Sequence, residues 1–190
     1  MSEIPNSKRL DCANYALHAY GTAYIFEKRA SSIQKKIKWL SFLGVAVPAS
    51  VGVIVGTYAL DETQIGLLLF VASLISIVQL LLSIWSLSSN WNSNLSDYLN
   101  LKNKSSSISD KYEKLGKETV LDFSFFQANL DKFDIERVLI KQLADRHSIK
   151  ESEKRRGMRY ALRKFQRACA GCNVVPTNMK NTKCGICGEF

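Results

Sequence analysis

The sequence predicts an all-α membrane protein: a two-helix transmembrane hairpin with long cytosolic helical extensions and a small C-terminal zinc-ribbon-like module. Three observations carry this. Two uncharged apolar runs, Trp39–Leu60 and Ile65–Leu87, stand in tandem. Every Lys and Arg lies outside residues 39–87. Two C-x-x-C pairs, Cys169/Cys172 and Cys184/Cys187, close the chain.

The runs are 22 and 23 residues long. At ~1.5 Å per residue each reaches roughly 33 Å, enough to cross a hydrocarbon core of ~30 Å. Asp61-Glu62-Thr63-Gln64 between them leaves room only for a tight turn, so the spans 39–60 and 65–87 are antiparallel. Lys35, Lys36 and Lys38 precede the first span, Lys102 and Lys104 follow the second, and the turn holds only acids. The positive-inside rule then puts both termini in the cytoplasm. Trp39, Trp85 and Trp91 fall near the cytoplasmic ends, where interfacial Trp belongs. Met1–Lys38 has no apolar core, so no cleavable signal is expected and the first span directs insertion. The net charge is +9; without the turn's two acids the remainder carries +11, a surface suited to anionic headgroups or nucleic acid.

Residues 7–38 read as a cytosolic helix with a seam of Leu10, Ala13, Leu17, Tyr20, Tyr24 and Glu27, and Gly21 as its one breaker. Cys12 and His18 in it are read as helix-packing residues. In the first span Gly44, Pro48, Gly52 and Gly56 recur every four residues, a small-residue ridge for close helix packing, and Pro48 predicts a kink. The ridge serves packing within one molecule or between molecules. In the second span Ser76, Gln79, Ser83 and Ser86 form a polar seam that continues as Asn90, Ser93, Asp97 and Asn100. It reads either as interhelical hydrogen bonding or as the lining of a water-filled path in an oligomer.

Residues 88–147 read as a cytosolic helical region. Trp91–Lys117 continues the helix, with Trp91, Leu95, Tyr98, Ile108, Tyr112 and Leu115 along one side and a break expected at Ser105-Ser106-Ser107. Thr119–Leu130 reads as an irregular turn. Asp134 is the expected N-cap of a helix Ile135–Arg146 with Val138, Leu139, Ile140 and Leu143 inward, ended by His147. Residues 148–168 form a basic helix. Arg155, Arg159, Arg163 and Arg167 share one face and are phosphate-binding candidates, with nucleic acid, anionic headgroups or plain solvation as the three readings.

The tail, 169–190, carries the sharpest motif. Two C-x-x-C knuckles separated by eleven residues present Cys169, Cys172, Cys184 and Cys187 to one metal. Four thiolates at about 2.3 Å make the tetrahedral shell that Zn²⁺ prefers, closed to water and hence structural. Gly171, Gly185 and Gly188 suit turns that aim backbone N–H groups at sulfur. A cytosolic tail favours metal over disulfides.

The C-x-x-C, eleven residues, C-x-x-C tail resembles the mobilome CxxCx(11)CxxC proteins of mobile elements. The hairpin 39–87 with its basic N-terminal helix and helical extension, over roughly residues 7–118, is similar to the SLATT families, two-membrane-helix effectors of bacterial conflict systems. The resemblance implies a bacterial inner-membrane, multi-pass protein of antiviral defence. It would oligomerise and permeabilise the membrane (pore-forming, abortive-infection type) when a cytosolic sensor, such as a nucleotide-second-messenger synthase or reverse transcriptase, signals infection. The alternative is a membrane-anchored zinc-ribbon module that binds nucleic acid or a protein partner. No Walker A loop, G-x-S-x-G or H-E-x-x-H is present, so no enzyme activity is expected.

Overall fold

A computed structural model describes residues 4–57, 62–118 and 122–190. They form five helices and, among the described residues, no strand: α1 Asn6–Thr57, α2 Glu62–Ser88, α3 Trp91–Lys117, α4 Phe123–Asp145 and α5 Glu151–Lys164. The chain divides into two compact units, Met1–Arg29 with Asp97–Phe190, and Ala30–Ser96.

The helix expected over 7–38 and the first expected span are one uninterrupted helix of 52 residues. A single Gly costs a helix only about 1 kcal/mol, so Gly21 does not break it. Pro48 lies inside it. Glu62, Thr63 and Gln64, expected in the turn, open α2; Asp61 lies outside the described residues. The second helix does not run on as one rod. Ser89 and Asn90 interrupt it, with Asn90 at φ 50°. Asn tolerates that left-handed conformation better than most side chains, which makes it a natural helix stop. The polar seam is therefore cut at Asn90.

In the larger unit α1 buries two faces, where the sequence suggested one. The first is made of small residues. Cys12 and Ala16 join Ile108, Tyr112 and Leu115 of α3 and Phe126, Leu130 and Ile140 of α4 in one core cluster. Phe26 joins Leu101 and Ala144 in a second. The other face carries part of the expected seam: Leu17, with Tyr20 beside it, packs on Ala161 and Leu162 of α5 and on Cys169 and Cys187. Leu10, also expected in the seam, is exposed.

Ser105-Ser106-Ser107 does not break α3. Ser105 and Ser109 are fully buried against the small-residue face of α1, and the Ser109 hydroxyl donates to the Ala16 carbonyl at 2.8 Å. Small hydroxyls let two helices approach where Leu would hold them apart.

α4 corrects three expectations. It begins at Phe123, so the aromatic stretch is helical. Asp134 is no N-cap: it lies mid-helix, accepting from the Tyr112 hydroxyl at 2.8 Å and from Arg137 at 3.0 Å. The inward face is Phe126, Leu130, Ile140 and Ala144, which puts Val138 and Leu139 on the outer side, exposed.

Two arginines of α1 close the ends of other helices. Arg9 donates to the carbonyls of Gly116 (3.0 Å) and Glu118 (2.6 Å) at the end of α3. Arg29 donates to the carbonyls of His147 (2.6 Å) and Ser148 (3.1 Å) just beyond α4. It also grips both carboxylate oxygens of Glu153, at 2.8 and 2.6 Å, in the first turn of α5. Glu153 in turn accepts the Lys150 backbone N–H at 2.9 Å. Helix ends leave their last carbonyls and first N–H groups without partners, and these side chains supply them.

Candidate metal centre

The four cysteines converge because α5 is turned off sharply. Phe165 donates to Ala161 and Arg167 to Leu162, with Gln166 at φ 50°, a left-handed helix cap that swings the chain back under the helix. Cys169 then lands against Leu17, Ala161 and Leu162. The first knuckle closes with Asn173 N–H to the Cys169 carbonyl at 2.8 Å and Cys169 N–H to the Val174 carbonyl at 3.1 Å. The second closes with Gly188 N–H to the Cys184 carbonyl at 2.8 Å and Glu189 N–H to the Thr182 carbonyl at 2.9 Å. The left-handed positions fall on Asn173 and Glu189, not on glycine.

All four sulfurs lie within 4.8 Å of one another; Cys169–Cys184 is 3.9 Å and Cys172–Cys187 is 3.8 Å. Four sulfurs about 2.3 Å from one centre would be about 3.8 Å apart in a regular tetrahedron. The residues therefore fit a four-thiolate metal site. Cys169 and Cys187 are buried, Cys184 is half-buried and Cys172 is exposed. Backbone N–H groups of Cys187 and Ile186 aim at the Cys184 sulfur and lower its pKa to about 6, a ready thiolate. Burial holds the Cys187 thiol well above its ordinary value.

The three glycines have separate roles. Gly171 N–H reaches the Cys169 sulfur at 3.4 Å, as expected of a knuckle. Gly188 is needed for space: a Cβ there would meet the Thr182 carbonyl oxygen at 2.2 Å. A Cβ on Gly185 would meet nothing within 4 Å, so no contact requires that glycine.

The arginine face does not stand open to phosphate. Arg159 is 6% exposed and donates to the carbonyls of Asn178 (2.8 Å) and Cys187 (3.3 Å), with its guanidinium 3.9 Å from the Cys187 sulfur. Arg155 pairs with Glu189 at 2.8 Å and Arg167 donates to Asn14 at 2.9 Å. Arg163 is exposed. The expected helix over 148–168 is shorter, Glu151–Lys164, so Arg155, Arg159 and Arg163 lie on it while Arg167 falls beyond its end, and the cysteine module folds back over Arg159. Gly157 marks a different contact, the close approach to Gly21 and Ile25 of α1.

The hairpin residues separate in the smaller unit. Gln79, Ser83 and Ser86 are half-buried, while Ser76 is exposed. A Cβ on Gly44 would lie 2.7 Å from the Gln79 amide nitrogen, so Gly44 makes room for that side chain between α1 and α2. Ser76 and Ser83 return their hydroxyls to the carbonyls of Ala72 (2.8 Å) and Gln79 (2.9 Å). Among the described positions of the expected ridge, Gly44 alone meets the partner helix in this way. Pro48 and Gly52 are exposed, a Cβ on Gly52 would meet nothing within 4 Å, and the surroundings of Gly56 lie outside the description.

A family model described as Mobilome CxxCx(11)CxxC protein matches residues 9–190. No curated protein and no solved structure matches the chain.

Proposed function

The chain belongs to the Mobilome CxxCx(11)CxxC protein family, and from that premise we propose that it is a bacterial inner-membrane effector of antiviral defence. It inserts as a hairpin with both termini cytoplasmic, assembles with further copies and permeabilises the membrane when a cytosolic sensor releases it. The observation that carries this reading is the surface of two helices long and apolar enough to cross a membrane. Val45, Val53, Leu67, Phe70, Leu80 and Leu81 are all exposed there. Water penalises such surface by about 25 cal/mol per Å², and lipid does not. The open Pro48 and Gly52 positions support assembly, since small residues allow close helix approach in lipid. The resemblance to SLATT effectors supports the action.

In this reading the packing of Gln79 on Gly44 belongs to the silent state, and assembly turns the polar seam of α2 toward a water-filled path. The cysteine module takes Zn²⁺, which supplies a structural cross-link between the two knuckles. Its four ligands, Cys169, Cys172, Cys184 and Cys187, leave no position for substrate, and the proposal assigns no reaction to the chain.

Titrated expression in bacteria tests this, following growth, membrane potential and entry of an impermeant dye. Depolarisation by the wild type, blunted in Gln79→Leu at equal membrane abundance, is the expected result. Intact membranes even with the neighbouring genes present would overturn it. A second reading, a membrane-anchored module that binds nucleic acid, draws on the exposed Arg163, Lys164, Lys180 and Lys183. Salt-insensitive or absent nucleic-acid binding by the full chain would remove it.

A further inference from the structure

We propose that Lys35, Lys38, Trp39 and Phe42, in the smaller unit, form a docking surface for an anionic phospholipid. The lysines meet its phosphate, and the rings meet its glycerol and upper acyl chains. The site rests on the insertion of the hairpin into a bilayer proposed above. The four residues follow a three-four spacing on α1, so they share one helix face. That face is open: Lys35 and Lys38 are exposed, and Trp39 and Phe42 are 65% and 60% exposed. The two rings stand edge to face, with centroids 5.9 Å apart. Along the helix the order is charge, indole, then hydrocarbon, which is the order a bilayer presents from its headgroups inward. The second helix brings another ring to the same level. Gly44 makes room for Gln79, which sets the register of α1 against α2. Lys38 lies six residues before Gly44 and Trp85 six residues after Gln79, so in this antiparallel pair each stands about 9 Å from that contact toward the same end. Trp85 is 66% exposed.

Charge complementarity selects the headgroup. The unit Ala30–Ser96 holds three cations, Lys35, Lys36 and Lys38, and two acids, Asp61 and Glu62, which stand in the link between the two spans. Lys36 is engaged elsewhere, its ammonium 5.5 Å from the centre of the Trp91 ring. On the helices that enter the unit, the first acids are Glu27, eight residues before Lys35 on α1, and Asp97, six residues past Trp91 on α3. Those steps are about 12 and 9 Å along the helix axes, beyond a screening length of about 8 Å at physiological salt. Glu27 is also followed directly by Lys28 and Arg29. No carboxylate therefore offsets Lys35 and Lys38 at close range. A zwitterionic headgroup would bring its own cation against them, whereas phosphatidylglycerol brings the phosphate alone.

The chain's three tryptophans, Trp39, Trp85 and Trp91, report on this end of the hairpin. The test reconstitutes the full chain in phosphatidylcholine vesicles that carry an acyl-brominated lipid, either phosphatidylglycerol or phosphatidylcholine, at equal mole fraction. Bromine quenches indole fluorescence on contact. The expected result is stronger quenching by the brominated phosphatidylglycerol, equivalent to a relative affinity of about fivefold or more, the factor one lysine contributes at a membrane surface. Lys35→Gln with Lys38→Gln should bring the ratio close to one. Lys180→Gln with Lys183→Gln, which removes the same charge from the tail, should leave it unchanged. Inorganic phosphate at constant ionic strength should not displace the lipid, because it lacks the chains that the rings hold. Equal quenching by the two lipids would overturn the proposal, and so would a ratio lowered as far by the tail variant. Displacement by inorganic phosphate would overturn it too, by assigning the lysines to a soluble anion. Quenching by neither lipid is a separate failure: it would remove the membrane insertion itself, and the lipid site with it.

Discussion

Gly157 and Gly21 meet backbone to backbone where α5 crosses α1. A Cβ on Gly157 would lie 2.7 Å from the Gly21 carbonyl oxygen and 3.0 Å from Ile25. This contact lets Tyr160 stack on Tyr24, with ring centroids 4.0 Å apart and planes 20° apart. Gly157→Ala should therefore lower stability by about 1–3 kcal/mol, because backbone cannot yield as a side chain would. Urea unfolding of the purified full chain reads this. An unchanged midpoint would mean that the helices separate at no cost.

How much of this was legible in the sequence differs by element. The apolar runs and the four cysteines were plain, because each is a property of neighbouring residues. The α1–α5 crossing was not. Gly21 read as a helix breaker, and Gly157 drew no notice within a basic run. A glycine pair across 136 positions becomes visible only when the two helices are brought together. The same holds for Cys12 and Ala16: small residues give weak periodicity, so the larger Tyr20 and Tyr24 defined a seam on the neighbouring face. Arg159 failed for a third reason. A cation spaced on a helix face looks solvated until the tail folds over it.

Arg29→Ala should destabilise the larger unit by about 3 kcal/mol, because it leaves Glu153 without its fork and two carbonyls beyond α4 without donors. Arg29→Lys should recover only part, since an ammonium cannot grip both oxygens. Thermal unfolding of the three proteins provides the comparison.

Acid should expose the same pair. Hydrogen bonding from Arg29 holds the Glu153 carboxyl below its ordinary value of 4.5. A depressed folded-state pKa means the contribution is fully present above pH 4.5 and fades as pH falls through the lower, folded value. Glu153→Gln should thus remove part of the stability loss below pH 4.5 and leave a nearly constant deficit at neutral pH. A wild type and variant that lose stability in parallel would show that the pair contributes nothing there.

Metal analysis of the purified chain should find about one Zn²⁺ per molecule, and Cys187→Ser should lose it. Stripping with a strong chelator should raise hydrogen exchange at Asn173, Gly188 and Glu189, whose N–H groups close the knuckles. Protection that survives chelation would mean the module folds without metal.

Arg159→Ala should loosen the module without touching a cysteine. It removes the donor to Asn178 and Cys187, leaves a buried void, and should speed zinc loss to a chelator by roughly tenfold or more. Arg163→Ala, on the exposed side, should not. Equal release rates for the two would mean that the fold-back over α5 adds nothing to metal retention.

The guanidinium beside Cys187 also changes the meaning of the charge count. Four thiolates around one divalent cation carry a formal charge of about minus two, more negative at pH 7 than the metal-free module, in which Cys184 is the ready thiolate. Arg159 then acts as an interior counterion to that centre. At pH 7 a loaded chain would carry less positive charge than the +9 its sequence implies. Loaded and stripped molecules would differ in electrophoretic mobility at pH 7.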